Sequence, residues 1–262
     1  MIIANEYNHL NAREFLIVNR SIQYSEITDC IKSIDANQFL KISCEISKLG
    51  KVFYSQGDLN KAIKTELALS AWHERRVAYY VTDDEQTTRE IINIYDKKKQ
   101  RELIEKRKQK CYPTFNQVDF QKDRIAIEVQ FGKYFSVAYD LHVKHTFFYS
   151  RNDIDVGIEI IPTKAMEEHM DTGVPWFENE VTNVIREGRT NPPVPILVLG
   201  IEPDNILGSE PTDYTDSDLI AILKNSDINK LKGKIDKLKR SGKITPVLSS
   251  RLNKLDNCIR KI

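Results

Sequence analysis

At 262 residues, with 40% hydrophobic and 29% charged side chains and a net charge of +1, the chain carries enough apolar material for one good core and is neither disordered nor fibrous. No apolar run approaches the ~18–20 residues of a membrane span, and the opening MIIANEYNHLN has neither a basic nor a long apolar stretch, so a cytoplasmic protein with no membrane partner is expected. Cys30, Cys44, Cys111 and Cys258 are scattered without a CxxC pair, which suits reduced thiols and gives no zinc signature.

Residues 10–50 read as mainly helical, with Phe15, Leu16, Ile22, Ile27, Ile31 and Ile34 in roughly helical spacing. A second helix is expected over 58–76, with Asp58 as N-cap, followed by a short strand, VAYYVTDD, at 77–84. Residues 86–110 read as one exposed helix; its last part, KKKQRELIEKRKQK, sets eight Lys and Arg against two Glu. FNQVDF (115–120) and RIAIEVQF (124–131) read as strands of a hairpin. Residues 134–150 are apolar enough for a helix packed on a sheet, DVGIEIIP (155–162) for a buried strand, and 175–188 for an amphipathic helix ended by Gly188. VPILVLGIEP (194–203) is nearly all apolar, as a central strand covered on both faces should be. This order predicts an α/β fold: a central mixed sheet flanked by helices.

After Pro203 the texture changes. Residues 204–218 are polar and rich in turn formers, which reads as a linker. Ile228, Leu231, Ile235 and Leu238, then Leu248, Leu252, Leu255 and Ile259 behind Pro246, give two apolar stripes at helical spacing. They predict a basic αα-hairpin over 219–262 turning around SGKI (241–244), after a main domain of 1–203. Residues 216–262 hold twelve Lys and Arg against five acids, so this extension is a basic region in a neutral chain.

The chemistry concentrates in the hairpin. Residues two apart on a strand share a face, so Glu128 and Gln130 point together while Ile127, Val129 and Phe131 point to the core. Asp119 on the partner strand would stand near Glu128. Two carboxylates with the Val129 carbonyl suit Mg²⁺, which takes few protein oxygens and keeps water. Such an ion would polarise a phosphoryl oxygen and activate a water, and Gln130 could hold that water although it cannot ionise. Spacing alone does not separate this site from an ordinary half-exposed hairpin. His73 or Glu74, in AWHERR (71–76), reads as a helix end that could approach the metal or stay solvated. His142 and His145, three apart with no third ligand, read as packing or phosphate contacts.

The run FNQVDFQKDRIAIEVQFGKYFSVAYDLHVKH (115–145) resembles the active-site segment of type II restriction endonucleases of the BstYI and BglII kind, relatives of BamHI in the PD-(D/E)xK nuclease superfamily. The likeness extends from EYNHLN (6–11) through SIDA (33–36), YYVT (79–82), DVGIEIIP and NVIREGR (183–189) to GIEP (200–203). It implies a PD-(D/E)xK core carrying a C-terminal helical extension. It also implies that glutamine replaces the superfamily lysine in active enzymes of this branch. Carried over, Asp119 and Glu128 are the metal-binding acids, Gln130 the glutamine beside them, and Lys133 a side chain aimed at bases. The loop HMDTGVPW (169–176) would read outer bases, with Thr172 in place of the BstYI serine. The function implied is Mg²⁺-dependent cleavage of double-stranded DNA by a homodimer at a palindrome with a GATC core, leaving 5′ GATC overhangs, beside a cognate DNA methyltransferase. Lys230, Lys234, Lys237 and Arg240 would add phosphate contacts; clamping DNA, extending a dimer contact and covering the body all stay open for the extension. A DNA-binding protein that keeps the fold without cutting, and a repair or junction nuclease, are the competing functions.

Overall fold

The computed structural model describes residues 1–241 and 244–262. In chain order it contains β1 (Ile2–His9), α1 (Ala12–Asn19), α2 (Ser21–Ser33), β2 (Leu40–Ile42), β3 (Val52–Tyr54), α3 (Gln56–Leu69), β4 (His73–Val81), α4 (Glu85–Ile91) and α5 (Lys97–Lys106). The hairpin strands β5 (Tyr112–Lys122) and β6 (Ile125–Val129) follow. Next comes one continuous helical run: α6 (Ser136–Tyr139), a π-wound segment (Asp140–His145) and α7 (Thr146–Ser150). Then come β7 (Val156–Pro162), α8 (Lys164–Glu167), α9 (Phe177–Glu187), β8 (Ile196–Glu202), α10 (Asp216–Lys224), α11 (Ile228–Ser241) and α12 (Pro246–Ile259).

Six strands form a mixed sheet in the order β1-β8-β7-β6-β5-β4. β6, β7 and β8 are parallel, which requires the crossovers that α6–α7 and α8–α9 supply, and the outer pairings are antiparallel. One face packs Ile127, Val129, Ile158, Ile160, Leu197 and Leu199 into a core shared with α1–α3 and with α10–α12. The other face is closed by α6–α7 and α9, through Val137, Leu141 and Val184 on Ile161, Ile196 and Val198, and through Phe148 on Val118 and Ala126. The central strands therefore read as unbroken apolar runs because both of their faces are covered. This is the α/β fold that the order of elements predicts.

The hairpin turn is Asp123-Arg124, with φ of +44° and +66°. A two-residue hairpin turn matching the strand twist needs positive φ at both positions. Neither residue is a glycine, and the strain is offset by side-chain anchors: Arg124 forks onto Asp155 at 2.9 and 2.7 Å, and Gln23 donates to Asp123 at 2.7 Å.

Several expectations are corrected. β1 was not expected; its polar pattern fits an edge strand paired only with β8. Residues 10–50 are helical only to Ser33, after which the small β2–β3 ribbon begins. The 58–76 helix starts earlier and stops at Leu69, with Ser55 as N-cap, while Asp58 sits in the first turn and pairs with Lys41 at 2.6 Å. Ala71, at φ +59°, breaks that helix, so AWHERR runs into β4. Residues 86–110 form two helices, because Asp96 caps a new start at Lys97. The turn expected around 241–244 includes Gly242 and Lys243, which lie outside the described residues. Residues 204–218 run along the body, where Ser209 accepts from Val52 N–H at 2.8 Å and Glu210 pairs with Arg251 at 2.7 Å.

Candidate active site

The regular β5–β6 ladder pairs Phe120 with Ile127, Gln121 with Ala126 and Lys122 with Ile125, and goes no further. On the other side of β5, His73 faces Gln121 whereas Arg75 faces Val118, so β5 carries one extra residue at this point. Such a bulge re-aims the side chains it contains. Asp119 lies in it, and its Oδ2 accepts the Val129 N–H of β6 at 3.1 Å. A carboxylate thus takes over a backbone partner where the strands part, which ties the Asp119 side chain to the strand that carries Glu128.

Glu128 is almost wholly buried, 1% exposed. Its Oε2 accepts from Lys144 Nζ at 3.0 Å, while Oε1 has no hydrogen-bond partner. Lys144 also reaches Asp140 at 2.8 Å, one helical step back along the π-wound segment. Gln130 donates from Nε2 to the other Asp140 oxygen at 3.3 Å and accepts the Gly132 N–H at 3.0 Å. A Cβ on Gly132 would stand 2.9 Å from that amide oxygen, so a side chain there would displace the Gln130 amide. Burial pushes the Glu128 carboxyl well above the usual carboxylate range, helped by the negative charges of Asp119 and Asp140. Burial also raises Asp140. For Lys144, burial opposes the charge but Glu128 and Asp140 outweigh it, and the ammonium is held more firmly than usual.

Behind this cluster lies a second polar pair. Glu159 on β7 stands in register beside Glu128 and is fully buried, as is His145. The His145 Nε2 lies 3.5 Å from Glu159 Oε2, and no ring nitrogen or carboxylate oxygen of the pair finds a hydrogen bond. Burial pushes the His145 pKa down to about 3, with Lys144 adding to the effect, and raises that of Glu159 well above normal. Burial thus disfavours the charged form of both groups. The imidazole fits only because residue 157 is glycine: a Cβ there would meet His145 Nδ1 at 2.6 Å.

Of the residues singled out in the sequence, Asp119, Glu128, Val129 and Gln130 are brought together. Lys133 and Thr172 meet on adjoining loops at the same end of the sheet, where Tyr134 N–H donates to Gly173 O at 2.8 Å. Lys133 is exposed, its ammonium 5.8 Å from the Phe135 ring centroid. Thr172 is exposed too, but Glu45 holds both its N–H, at 3.0 Å, and its hydroxyl. Lys230 and Lys234 are near enough for their charges to act on the Cys44 thiol, whose sulfur is 3.9 Å from Asp227 O, and Lys230 also acts on Asp171 beside Thr172, so the start of α11 lies near the Thr172 loop. Lys237 and Arg240 continue up the same helix, and nothing links them to the site. His73 and Glu74 are exposed on β4 and hydrogen-bond to none of the site carboxylates. His142 pairs with Glu187 at 3.0 Å while His145 turns inward, so the two histidines do not form a pair. Asp140, Lys144, Glu159 and Glu45 were missed. The i,i+4 spacing of Asp140 and Lys144 just after the active strand was the available signal.

The family profile of restriction endonuclease BglII/BglIII matches residues 4–201. The chain belongs to this family. As a member of the BglII/BglIII family it is a restriction endonuclease, a hydrolase that cleaves DNA at specific sites. Among solved structures it is similar to restriction endonuclease BglII complexed with a DNA 16-mer, with 18% identity over 76% of this chain and 78% of that one and a TM-score of 0.52. Free BglII aligns at 17% identity over 76% of this chain and 79% of that one, with a TM-score of 0.47. At this identity the structural likeness supports the fold. No curated protein matches the chain. No described helix is long and apolar enough to cross a membrane.

Whether these residues suit a divalent metal is decided by the donor set. Glu128 Oε1 is buried and unpartnered, and Asp119 and Asp140 repel it. A cation at that oxygen would satisfy the orphaned atom and relieve the repulsion, so the residues fit. No trio of His, Cys, Asp or Glu is gathered into a closed metal cage among the described residues. A hard ion that keeps its waters does not require one.

Proposed function

We propose that the chain is a Mg²⁺-dependent type II deoxyribonuclease that acts as a homodimer on double-stranded DNA at a palindrome containing GATC. The site we favour is purine-GATC-pyrimidine, cut before the guanine to leave 5′ GATC overhangs. One observation carries the catalytic part: Asp119 and Glu128 converge where the β5–β6 ladder opens, with Glu128 Oε1 unpartnered. Resemblance to the BstYI, BglII and BamHI branch supports the GATC core, and the DNA partner is supported by family membership.

In this reading Asp119, Glu128 and the Val129 carbonyl hold the metal. The ion, when bound, supplies Lewis-acid chemistry to a phosphodiester and acidifies water. Asp119 is kept in place by the Val129 N–H, and Glu128 is fixed through Oε2, which leaves the buried Oε1 without a hydrogen-bond partner. Gln130, oriented by Asp140 and Gly132, holds the attacking water in line; its amide contributes position and no proton transfer. Lys133 and the Thr172 loop read bases from the major groove. Lys230, Lys234, Lys237 and Arg240, on the extension at 219–262 beyond the catalytic domain at 1–203 and the linker at 204–218, bind phosphates. Phe135, just before the helical run, and Tyr139 and Val143 within it are exposed at successive four-residue steps, an apolar stripe suited to a two-fold contact. A two-fold enzyme places one active site on each strand of a palindrome. A methyltransferase for the same site is the companion that this reading requires in the cytoplasm.

The test is digestion of an unmethylated plasmid of known sequence with purified protein and Mg²⁺, with sequencing of the fragment ends. Discrete fragments ending in 5′ GATC are expected. Intact plasmid, under conditions where the protein still retards DNA in a gel, would replace this reading with a binding protein that does not cut.

A further inference from the structure

We propose that Lys144 is the resident cation of this active site: in the metal-free protein its ammonium is shared by Glu128 and Asp140, and an incoming divalent ion must compete with it for Glu128. Lys144 thereby sets how tightly the site holds metal. The inference rests on the metal site proposed above and concerns a residue that the sequence motif does not contain.

The charges of Asp119 and Asp140 both act on Glu128, and one ammonium, that of Lys144, bonds to Glu128 and Asp140. Lys144 Nζ stands 3.0 Å from Glu128 Oε2 and 2.8 Å from Asp140 Oδ1. Among the described residues no other cationic side chain bonds to Glu128. The ammonium is held from two sides, since Asp140 is itself fixed by Gln130. The lysine side chain is only 21% exposed, so it has already lost the rotamer freedom that a surface lysine keeps.

The arrangement accounts for a positive group at a strand position occupied by glutamine. Gln130 brings no charge, and the charge enters from the π-wound segment instead. The two contacts of Lys144 also differ in what a metal would do to them. Glu128 is a proposed metal ligand, so its hold on the ammonium weakens when an ion takes up its charge. Asp140 is not a proposed ligand and keeps Lys144 close by. Removing the ammonium should therefore tighten metal binding, because the carboxylates lose their competitor.

The experiment is calorimetric titration of the full-length protein with Ca²⁺, a probe for the metal that does not require turnover, at pH 9 to limit protons competing for the carboxylates. Lys144→Met is expected to bind Ca²⁺ about tenfold or more tightly than wild type. Lys144→Arg, which keeps the charge, should bind as wild type or more weakly. If Lys144→Met does not fold, Lys144→Gln carries the same expectation, since its amide retains a donor without the charge. Unchanged or weaker Ca²⁺ binding by a folded, uncharged variant would overturn the role of Lys144 and leave the metal site standing. Ca²⁺ binding by wild type that survives Asp119→Asn would instead show that the metal lies elsewhere, and both readings would fall.

Discussion

Glu128 is a buried acid with one oxygen answered by Lys144 and the other by nothing among the described residues, a costly arrangement unless the open oxygen has a use. That use defines the first expectation. Asp119→Ala or Glu128→Gln should cut plasmid at least ~10³-fold more slowly, because each removes a proposed metal ligand, and on that proposal the site acts through charge placed where the phosphorane forms. The folded state, followed by circular dichroism, should persist in both, and near wild-type turnover in either would remove these residues from the site. His145 gives a pH dependence of stability. Its folded pKa is depressed to about 3, and its unfolded value is the ordinary one near 6.5. Above that value the ring is neutral in both states and contributes nothing. As pH falls below it, only the unfolded chain takes up the proton, so stability is lost down to the folded value. The slope should be about 1.4 kcal/mol per pH unit. The raised Glu159 and Glu128 carboxyls contribute with the opposite sign, so the His145 part is read as the difference between the slopes of wild type and His145→Gln in urea unfolding between about pH 7.5 and 5; parallel slopes would mean that the ring is protonated in the folded protein.

At the scale of elements, the helical run from Ser136 to Ser150 does more than cross from β6 to β7. Its π-wound middle turns Asp140, Leu141 and His145 inward and swings Lys144 onto Glu128. Such segments are rare, and they are frequent at functional sites. Deleting the partly exposed Val143 would let the run wind as an α-helix and rotate Lys144 and His145 relative to Asp140. Cleavage should fall about 10²-fold or more, with retained secondary structure by circular dichroism; wild-type turnover in the deletion would show that the winding is incidental. The sequence carried the hairpin, both parallel central strands and the grouping of Asp119, Glu128 and Gln130, because strand alternation is local. It could not show the bulge that re-aims Asp119, since a bulge is a mismatch between two strands. Helical spacing also put His142 and His145 on one side, and only the π winding separates them. β1 escaped because an edge strand with one neighbour needs no apolar pattern, and AWHERR was misread because Ala71 gives no sign that it adopts positive φ.

For the whole molecule the decisive part is the C-terminal extension. Leu219, Leu231, Leu252 and Leu255 are buried in the same core as Leu16, Ile27 and Ile63, and each such side chain contributes about 1.5–3 kcal/mol. Arg251 reinforces the join by forking onto Glu210 and donating to Leu49 O at 3.1 Å. Truncation after residue 203 should therefore abolish cooperative urea unfolding, and a stably folded 1–203 chain would show that the extension is only appended. Covering the core does not use the outer charges, and two of these, Lys230 and Lys234, lie beside the loop that holds Thr172. Contacts from these side chains to DNA phosphates would position the duplex and add no sequence information. Each phosphate contact adds about 0.9 to the slope of log binding constant against log salt. The double variant Lys230→Ala/Lys234→Ala should thus lower that slope by about two, weaken binding at low salt, and leave the cleaved sequence unchanged. Lys237→Ala/Arg240→Ala gives the contrast, because these side chains lie about 10 Å further along the helix and test how far the duplex follows it. A slope that both pairs leave unaltered would take the extension off the DNA and assign it to the core alone.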